Sequence, residues 1–354
     1  MANAPGYRQA QLWQPDLKWE KRDDGSWLIW RGDDIADHPD RMTDMIDHWA
    51  SETPDAIWMA ERDGDTWRTV TYRELQTTSR RIGQWLLDHD LSVDRPLMIL
   101  SENTLEHAII ALAAQYVGVP SAAISPAYSL VASDYQKLSG IADQITPGAV
   151  FAQHAEPFED AILKALPADI LVITTSGTVE GRNTTLFENA QTEPTDAVAT
   201  AHEATGPDSV VKFLFTSGTT GTPKAVIQTN RMLTSNQEIV ADCYSYLRGE
   251  KPVVCNWLPW SHTAAGNKVF NMVLYNGGTY YIDHGKPTPG GMAETIRNLR
   301  ETSPNWHLTV PAGFEALAKA MDTDDELRES FFKNLKHMMY AGAGLAQHTW
   351  THLE

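Results

Sequence analysis

Cysteine is nearly absent from these 354 residues: only Cys243 and Cys255 occur, with no CxxC pattern and no histidines at ligand spacing. That argues against a zinc site and a disulfide framework, and it suits a reducing, cytoplasmic setting. Positive charge is also scarce. Against 46 acidic residues stand 28 basic ones, a formal charge of −18, which argues against a general nucleic-acid or anionic-membrane surface. Any anionic ligand would need a locally positive site. Long apolar runs are missing too. The most apolar window, 108–124, is broken by Gln115, Gly118 and Pro120, so it reads as a buried helix and a strand rather than a membrane span. The opening residues, MANAPGYRQAQLWQPD, lack the charged-then-apolar pattern of a signal peptide, and no internal repeat is evident. With 42% hydrophobic residues, the chain is long enough for two or three domain-sized cores.

What the chain does have is concentrated in 210–230, VVKFLFTSGTTGTPKAVIQTN. Val210, Val211, Phe213, Leu214 and Phe215 form an apolar run of strand length, and 225–229 reads as a second strand. Between them lie Thr216, Ser217, Gly218, Thr219, Thr220, Gly221, Thr222, Pro223 and Lys224. Glycines let backbone N–H groups converge, hydroxyls add donors, and lysine adds a mobile positive charge. Together these can replace the water that a polyphosphate loses on binding. The spacing excludes the P-loop of NTPases: Gly218 and Gly221 are three apart, Pro223 precedes the lysine, and Ala225 stands where a magnesium-binding hydroxyl belongs. The plain alternative is a solvated Ser/Thr/Gly hairpin loop.

Around this loop the pattern alternates. Segments 17–22 and 26–31 flank Asp23-Asp24-Gly25 as a hairpin, and the nearby Trp13, Trp19, Trp27 and Trp30 read as packing. A helix at 41–50, strands at 57–61 and 67–70, and a helix opened by Thr71 with Glu74 as a capping box come next. Strands at 96–100, 119–124, 149–152 and 169–173 alternate with helices at 105–116, 131–142 and 157–166. The polar stretch 188–209 reads as a connection between subdomains, giving units 1–187 and 210–354. Beyond it, helices at 231–246, 268–275, 292–300 and 312–321 alternate with strands at 253–257, 279–282, 306–309 and 337–340. This order predicts an α/β fold with doubly wound, mainly parallel sheets.

Two further stretches carry chemistry. In NWLPWSHTAAGN, 256–267, a strand ends and leaves Trp260, His262 and small residues at its carboxyl end, where open α/β sheets bind ligands. Taken alone, one histidine there is more often structural. In 340–345, YAGAGL, small residues let a planar group lie against the backbone.

The three stretches, in this order, resemble the adenylate-forming (AMP-binding) superfamily, and nearly the whole chain is similar to its bacterial feruloyl-CoA synthetase branch. TSGTTGTPKA resembles the family's phosphate loop, with Ala225 where glycine is commoner. The resemblance implies that Thr216, Ser217, Gly218, Thr219, Thr220 and Gly221 hold the β- and γ-phosphates while Lys224 neutralises charge. It implies that Trp260, His262, Thr263, Ala264 and Gly266 line the acyl pocket, His262 shaping and gating it without acting as a nucleophile. Gly342, Ala343 and Gly344 would lie between acyl group and adenine. Ala264 and Ala265 stand where a phenylalanine and a glycine are expected, which should widen the pocket.

The implied reaction activates an aromatic, hydroxycinnamate-type acid with ATP, Mg²⁺ and coenzyme A, in the cytoplasm and without nucleic-acid or membrane partners. A homodimer is compatible with it, and no residue of this chain is assigned to a metal. The Tyr-Gly-x-Thr-Glu segment and the small domain with the adenylation lysine do not follow within the chain, so an N-terminal fragment, inactive as it stands, is expected. Three alternatives remain: an adenylating enzyme for fatty acids or a non-CoA acceptor, a non-catalytic truncated protein, and a kinase-like phosphate binder.

Overall fold

The computed structural model describes residues 8–216, 221 and 223–354. Strands β1 (Leu17–Lys21) and β2 (Trp27–Arg31) form the antiparallel hairpin, with Gly25 left-handed in its turn. Next come α1 (Asp44–Glu52), β3 (Ile57–Asp63), β4 (Thr66–Thr71) and α2 (Tyr72–Asp88). Thr71 and Glu74 close the expected capping box at the start of α2. The alternation continues through β5 (Leu97–Leu100), α3 (Leu105–Tyr116), β6 (Ser121–Ala123), α4 (Gln136–Ile145), β7 (Ala149–Ala152), α5 (Ala155–Ala165), β8 (Leu171–Thr174), β9 (Thr184–Leu186) and α6 (Asp196–Ala204). Then follow β10 (Val210–Thr216), β11 (Lys224–Thr229), α7 (Asn230–Cys243), β12 (Val253–Asn256), α8 (Phe270–Tyr275), β13 (Thr279–Ile282) and α9 (Met292–Glu301). The last elements are β14 (Trp306–Thr309), α10 (Pro311–Met321), α11 (Asp325–Asn334), β15 (His337–Tyr340) and α12 (Gln347–Leu353).

Seven strands form the larger sheet in the order β11-β10-β6-β5-β7-β8-β9, parallel except where β10 meets β11. A four-stranded sheet runs β12-β13-β3-β4, and β14 pairs with β15 in parallel. Asn305 exchanges bonds with Val253, and Asn256 donates to the Leu308 carbonyl at 2.7 Å, so side chains bridge β12 to β14. One core contains residues from both larger sheets and from α2, α3 and α8 between them, among them Trp58, Ile99, Leu112, Val211 and Met272. That position explains α3: a helix with sheets on both sides is apolar nearly all round. A second core lies on the outer face of the seven-stranded sheet under α4 and α5, and a third lies under α9, α10 and α11.

The parallel α/β architecture agrees with the expectation, and four details differ. The strand pairings do not follow the division placed at 188–209: β10 and β11 complete the sheet of the first half, while β3 and β4 complete the sheet of the second. Apolar runs such as Trp58-Met59-Ala60 are buried on both faces, and period alone does not say which sheet such a run joins. The connection also hides α6, whose polar sequence buries only Val198 and His202; His202 stacks on Tyr116 at 3.9 Å. The helix expected from 131 starts at Gln136, because Tyr135 takes a left-handed conformation that breaks it from the π-helical turn Ala127–Val131. Finally, the tryptophans of the hairpin are not core: Trp19, Trp27 and Trp30 are exposed.

Candidate active site

β10 and β11 stay in register from Phe213↔Ile227 to Thr216↔Lys224, so their connecting loop leaves the carboxyl end of β10, beside that of the parallel strand β6. This is the end of an open α/β sheet where ligands bind. Of the expected phosphate-binding residues, Thr216, Gly221 and Lys224 are exposed; Ser217, Gly218, Thr219 and Thr220 lie outside the described residues. Gln144 of α4 holds the returning strand: its Nε2 donates to the Pro223 carbonyl at 2.7 Å and its Oε1 accepts the Ala225 N–H at 3.2 Å. The root of Lys224 is thereby fixed on both sides, while its ammonium has no carboxylate partner among the described residues.

After β12 the chain passes through Pro259 and enters a π-helical turn, Ala264–Val269, that continues into α8. Trp260 is a post within the core. Its N–H donates to Asn103 Oδ1 at 3.1 Å, its indole N–H to the Tyr280 hydroxyl at 3.2 Å, and its ring meets those of His107 and Phe270. His262 is exposed, and its Nδ1 accepts the Ala264 N–H at 3.2 Å. In a neutral ring the proton then sits on Nε2, which is left as the donor. Thr263 is exposed and accepts from Asn267 at 3.3 Å, and Ala264 is half-buried. Gly266 is buried, and a Cβ there would run into the Trp260 carbonyl oxygen. It is a close-approach glycine more than a pocket wall.

The residue joining these two stretches is one the sequence reading passed over. Lys212 of β10 is buried and donates from Nζ to the Gly266 carbonyl at 2.7 Å. Burial pushes its pKa down to about 8. Asn267 adds a second tie, donating to Gln228 of β11 at 3.0 Å. The phosphate hairpin and the histidine turn are therefore tied directly to each other. A lysine inside an otherwise apolar strand is rare enough to have flagged Lys212. Gln144 offers no comparable signal.

The third stretch follows β15. The Ala341 N–H donates to the Thr309 carbonyl at 3.3 Å, and the Trp257 indole donates to the Thr309 hydroxyl at 3.2 Å, so Ala341 and Trp257 both meet Thr309 at the end of β14. Gly342, at φ 91°, needs the left-handed region; Gly342, Ala343 and Gly344 are all exposed. No described contact joins these three residues to His262 or Lys224.

Where the carboxyl ends of the two larger sheets meet, a cleft of about 260 Å³ is lined by Asn103, Trp257, Trp260, Ser261, His284 and Lys286 among others. His284 bonds Glu61 at 3.1 Å, which raises its pKa, so it stays protonated to higher pH than an ordinary histidine. Burial alone would raise the Glu61 carboxyl; bonds from His284, the Leu105 N–H and Arg68 outweigh it and hold the carboxyl low. Neither Glu61 nor His284 had been singled out, since they are 223 residues apart in sequence. A larger cavity, about 620 Å³ beside Met321, Phe332 and Leu335, touches none of the three stretches. Among the described residues no group of three His, Cys, Asp or Glu could hold a metal ion, and no helix is long and apolar enough to cross a membrane.

Comparison with known proteins bears on this geometry. Over 222 residues the chain is 28% identical to 4-coumarate–CoA ligase 3 of Oryza sativa subsp. japonica, covering 62% of this chain and 38% of that protein. It is 25% identical over 373 residues to the peroxisomal long chain acyl-CoA synthetase 6 of Arabidopsis thaliana, covering 94% of this chain and 50% of the relative. Against these curated relatives it thus spans 38% to 50% of their length. Among solved structures, acetoacetyl-CoA synthetase from Streptomyces lividans superposes with a TM-score of 0.73 at 16% identity, covering 88% of this chain and 48% of that one. The luciferase-like enzyme from the nonluminescent Zophobas morio mealworm gives 0.68 at 17% identity, covering 88% and 68%. At such identities the likeness is one of fold. The family itself is shown by a model described as AMP-binding enzyme, which matches residues 46–354, and the chain belongs to that family.

Proposed function

We propose that this chain is the nucleotide- and acid-binding part of an ATP-dependent acid–CoA ligase acting on a flat aromatic acid of the hydroxycinnamate type. A carboxylate oxygen attacks the α-phosphorus of ATP, the bond to the β-phosphate oxygen breaks, and acyl-AMP and pyrophosphate form. The coenzyme A sulfur then attacks the acyl carbon and AMP leaves with the electron pair. Both steps gather negative charge, so the protein's work is positioning and electrostatic stabilisation. Thr216 to Gly221 would hold the β- and γ-phosphates with Lys224 neutralising them. His262, Trp260, Thr263, Ala264 and Gly266 would form the acyl side, and Gly342, Ala343 and Gly344 the boundary with adenine. Mg²⁺ would accompany ATP, and no cluster among the described residues fits it.

The observation that carries the reading is the Lys212–Gly266 bond, which ties the hydroxyl-rich loop to the histidine turn and so couples a phosphate end to an acyl end. The 4-coumarate–CoA ligases among the relatives favour an aromatic acid. A fatty acid is the second reading: the small Ala264 and Ala265 leave room, and a long chain acyl-CoA synthetase is also among the relatives.

Binding of two stable sulfamoyl analogues of acyl-AMP, one hydroxycinnamoyl and one long-chain, measured by calorimetry separates the readings. The aromatic analogue should bind more tightly. Preference for the long-chain analogue would move the assignment to fatty acids, and binding of neither would remove the adenylating role.

A further inference from the structure

We propose that the β1–β2 hairpin is a self-association surface, on which the outer edge of β1 pairs antiparallel with the same edge of a second copy of this chain. This goes beyond the proposed reaction and does not depend on it.

The hairpin stands apart from the body. At its base the Arg31 Nη1 donates to Asp242 at 3.1 Å and the Trp13 N–H to the Cys243 carbonyl at 3.2 Å, which fixes it to the end of α7. Beyond that base, Leu17, Trp19, Trp27 and Ile29 are 53%, 65%, 57% and 63% exposed. Strand alternation and the register Trp19↔Ile29 place these four on one face, with the Trp19 and Trp27 rings 5.2 Å apart. A two-stranded hairpin with an uncovered apolar face is marginal in water, and its free edge is a template for another strand.

The phase of the ladder says which groups are free. The Arg22 N–H donates to the Ser26 carbonyl at 2.9 Å and the Gly32 N–H to the Asp16 carbonyl at 2.6 Å. By alternation Lys18 and Glu20 then spend their backbone groups on β2, while Leu17, Trp19 and Lys21 turn theirs outward. A two-fold axis can pass through one of those three, or through Lys18 or Glu20, where it would set two lysines or two glutamates against each other in closely spaced positions. Centred on Lys21, it sets two lysines face to face. Centred on Leu17, it sets Trp19 against Pro15, which has no N–H. Centred on Trp19, it sets Trp19 against its copy and Lys18 against Glu20 twice, in the closely spaced non-hydrogen-bonded positions. Glu20 has no ion-pair partner among the described residues, and Lys18 has only the exposed Asp16 at 3.0 Å, a pair of little energetic weight. Among these registers the one centred on Trp19 pairs opposite charges within LKWEK while setting neither like charges nor a proline against the strand, and this selects a second copy as the occupant.

Sedimentation velocity of the full chain at micromolar concentrations tests this. Wild type should dimerise reversibly. Lys18→Glu or Glu20→Lys alone should weaken the dimer about tenfold by setting like charges opposite each other. The double variant Lys18→Glu/Glu20→Lys should regain it, and an equimolar mixture of the two single variants should form a heterodimer. Both side chains are exposed, so circular dichroism should be unchanged. A chain that stays monomeric throughout, or a dimer indifferent to the charge series, would overturn the proposal.

Discussion

Both β1–β2 and β10–β11 are antiparallel hairpins, but β10 has β6 on its other flank, whereas β1 has no second neighbour among the described residues. The consequence reverses the usual sorting of residues. In β10 a lysine is 8% exposed and bonded inside the protein; in β1 a tryptophan is 65% exposed. Burial follows from what lies beside a strand, not from the polarity of its side chains. Lys212 is tolerated inside because the Gly266 carbonyl accepts a hydrogen bond from its Nζ. Trp19 remains outside because nothing described covers it.

The largest effect should come from the loop of the supported hairpin. With its root held by Gln144 and its ammonium unpaired by any carboxylate among the described residues, Lys224 is placed to meet phosphate. Lys224→Ala, in protein competent for adenylation, should slow pyrophosphate exchange by about 10²–10³-fold, as for loss of one charge-stabilising donor. An unchanged rate would take Lys224 out of the phosphate site. Next is the turn to which that hairpin is tied. Gly266→Ala places a methyl against the Trp260 carbonyl oxygen, and backbone, unlike a flexible side chain, yields little. The substitution should cost about 1–3 kcal/mol, the usual range for overpacking, read as a lower urea midpoint. A neutral result would mean that the turn is looser than its contacts suggest.

Much of this was legible beforehand. The strand–loop–strand around Thr216–Lys224, the capping box at Thr71 and nearly every strand of the parallel sheets follow from period, turn chemistry and short apolar runs. What sequence could not carry was partnership over distance. Whether β3 joins the first sheet or the second depends on Met59 meeting Tyr280, and no local pattern encodes that meeting. The same holds for Gln144 against Pro223 and Glu61 against His284. The tryptophan-rich hairpin failed for the opposite reason: its composition argued for burial, and only the absence of a described covering layer corrects it.

Two smaller effects probe the acyl side and the buried lysine. Ala264 is half-buried in the histidine turn, so Ala264→Phe should favour flat cinnamate-type acids over bulkier ones by a few-fold to about 100-fold in relative kcat/KM. Identical acid profiles would show that residue 264 does not face the substrate. For Lys212 the sign follows from burial. Its folded pKa of about 8 lies below the ordinary lysine value of 10.5, so between those values the unfolded chain holds a proton that the folded chain has released. The contribution of Lys212 to stability is therefore fully present above pH 10.5, lost as pH falls toward 8, and flat below. Lys212→Met should remove that rise from denaturation curves taken between pH 8 and 10.5.

The smallest effect is expected where a composition-based reading would place a large one. Trp19 has a large apolar ring, and removing such a ring from a core is among the costliest substitutions known. Here the ring meets Trp27 across the hairpin, at 5.2 Å between centroids, and the residue is already 65% exposed. At concentrations low enough to keep the chain monomeric, Trp19→Ser should shift stability by no more than about 0.5 kcal/mol, the range of ordinary surface changes. The urea midpoint should barely move, while self-association at higher concentration should be lost. A loss of several kcal/mol in the monomer would mean that the hairpin packs on the body of the protein, and the contrast between the two hairpins would then reduce to one of degree.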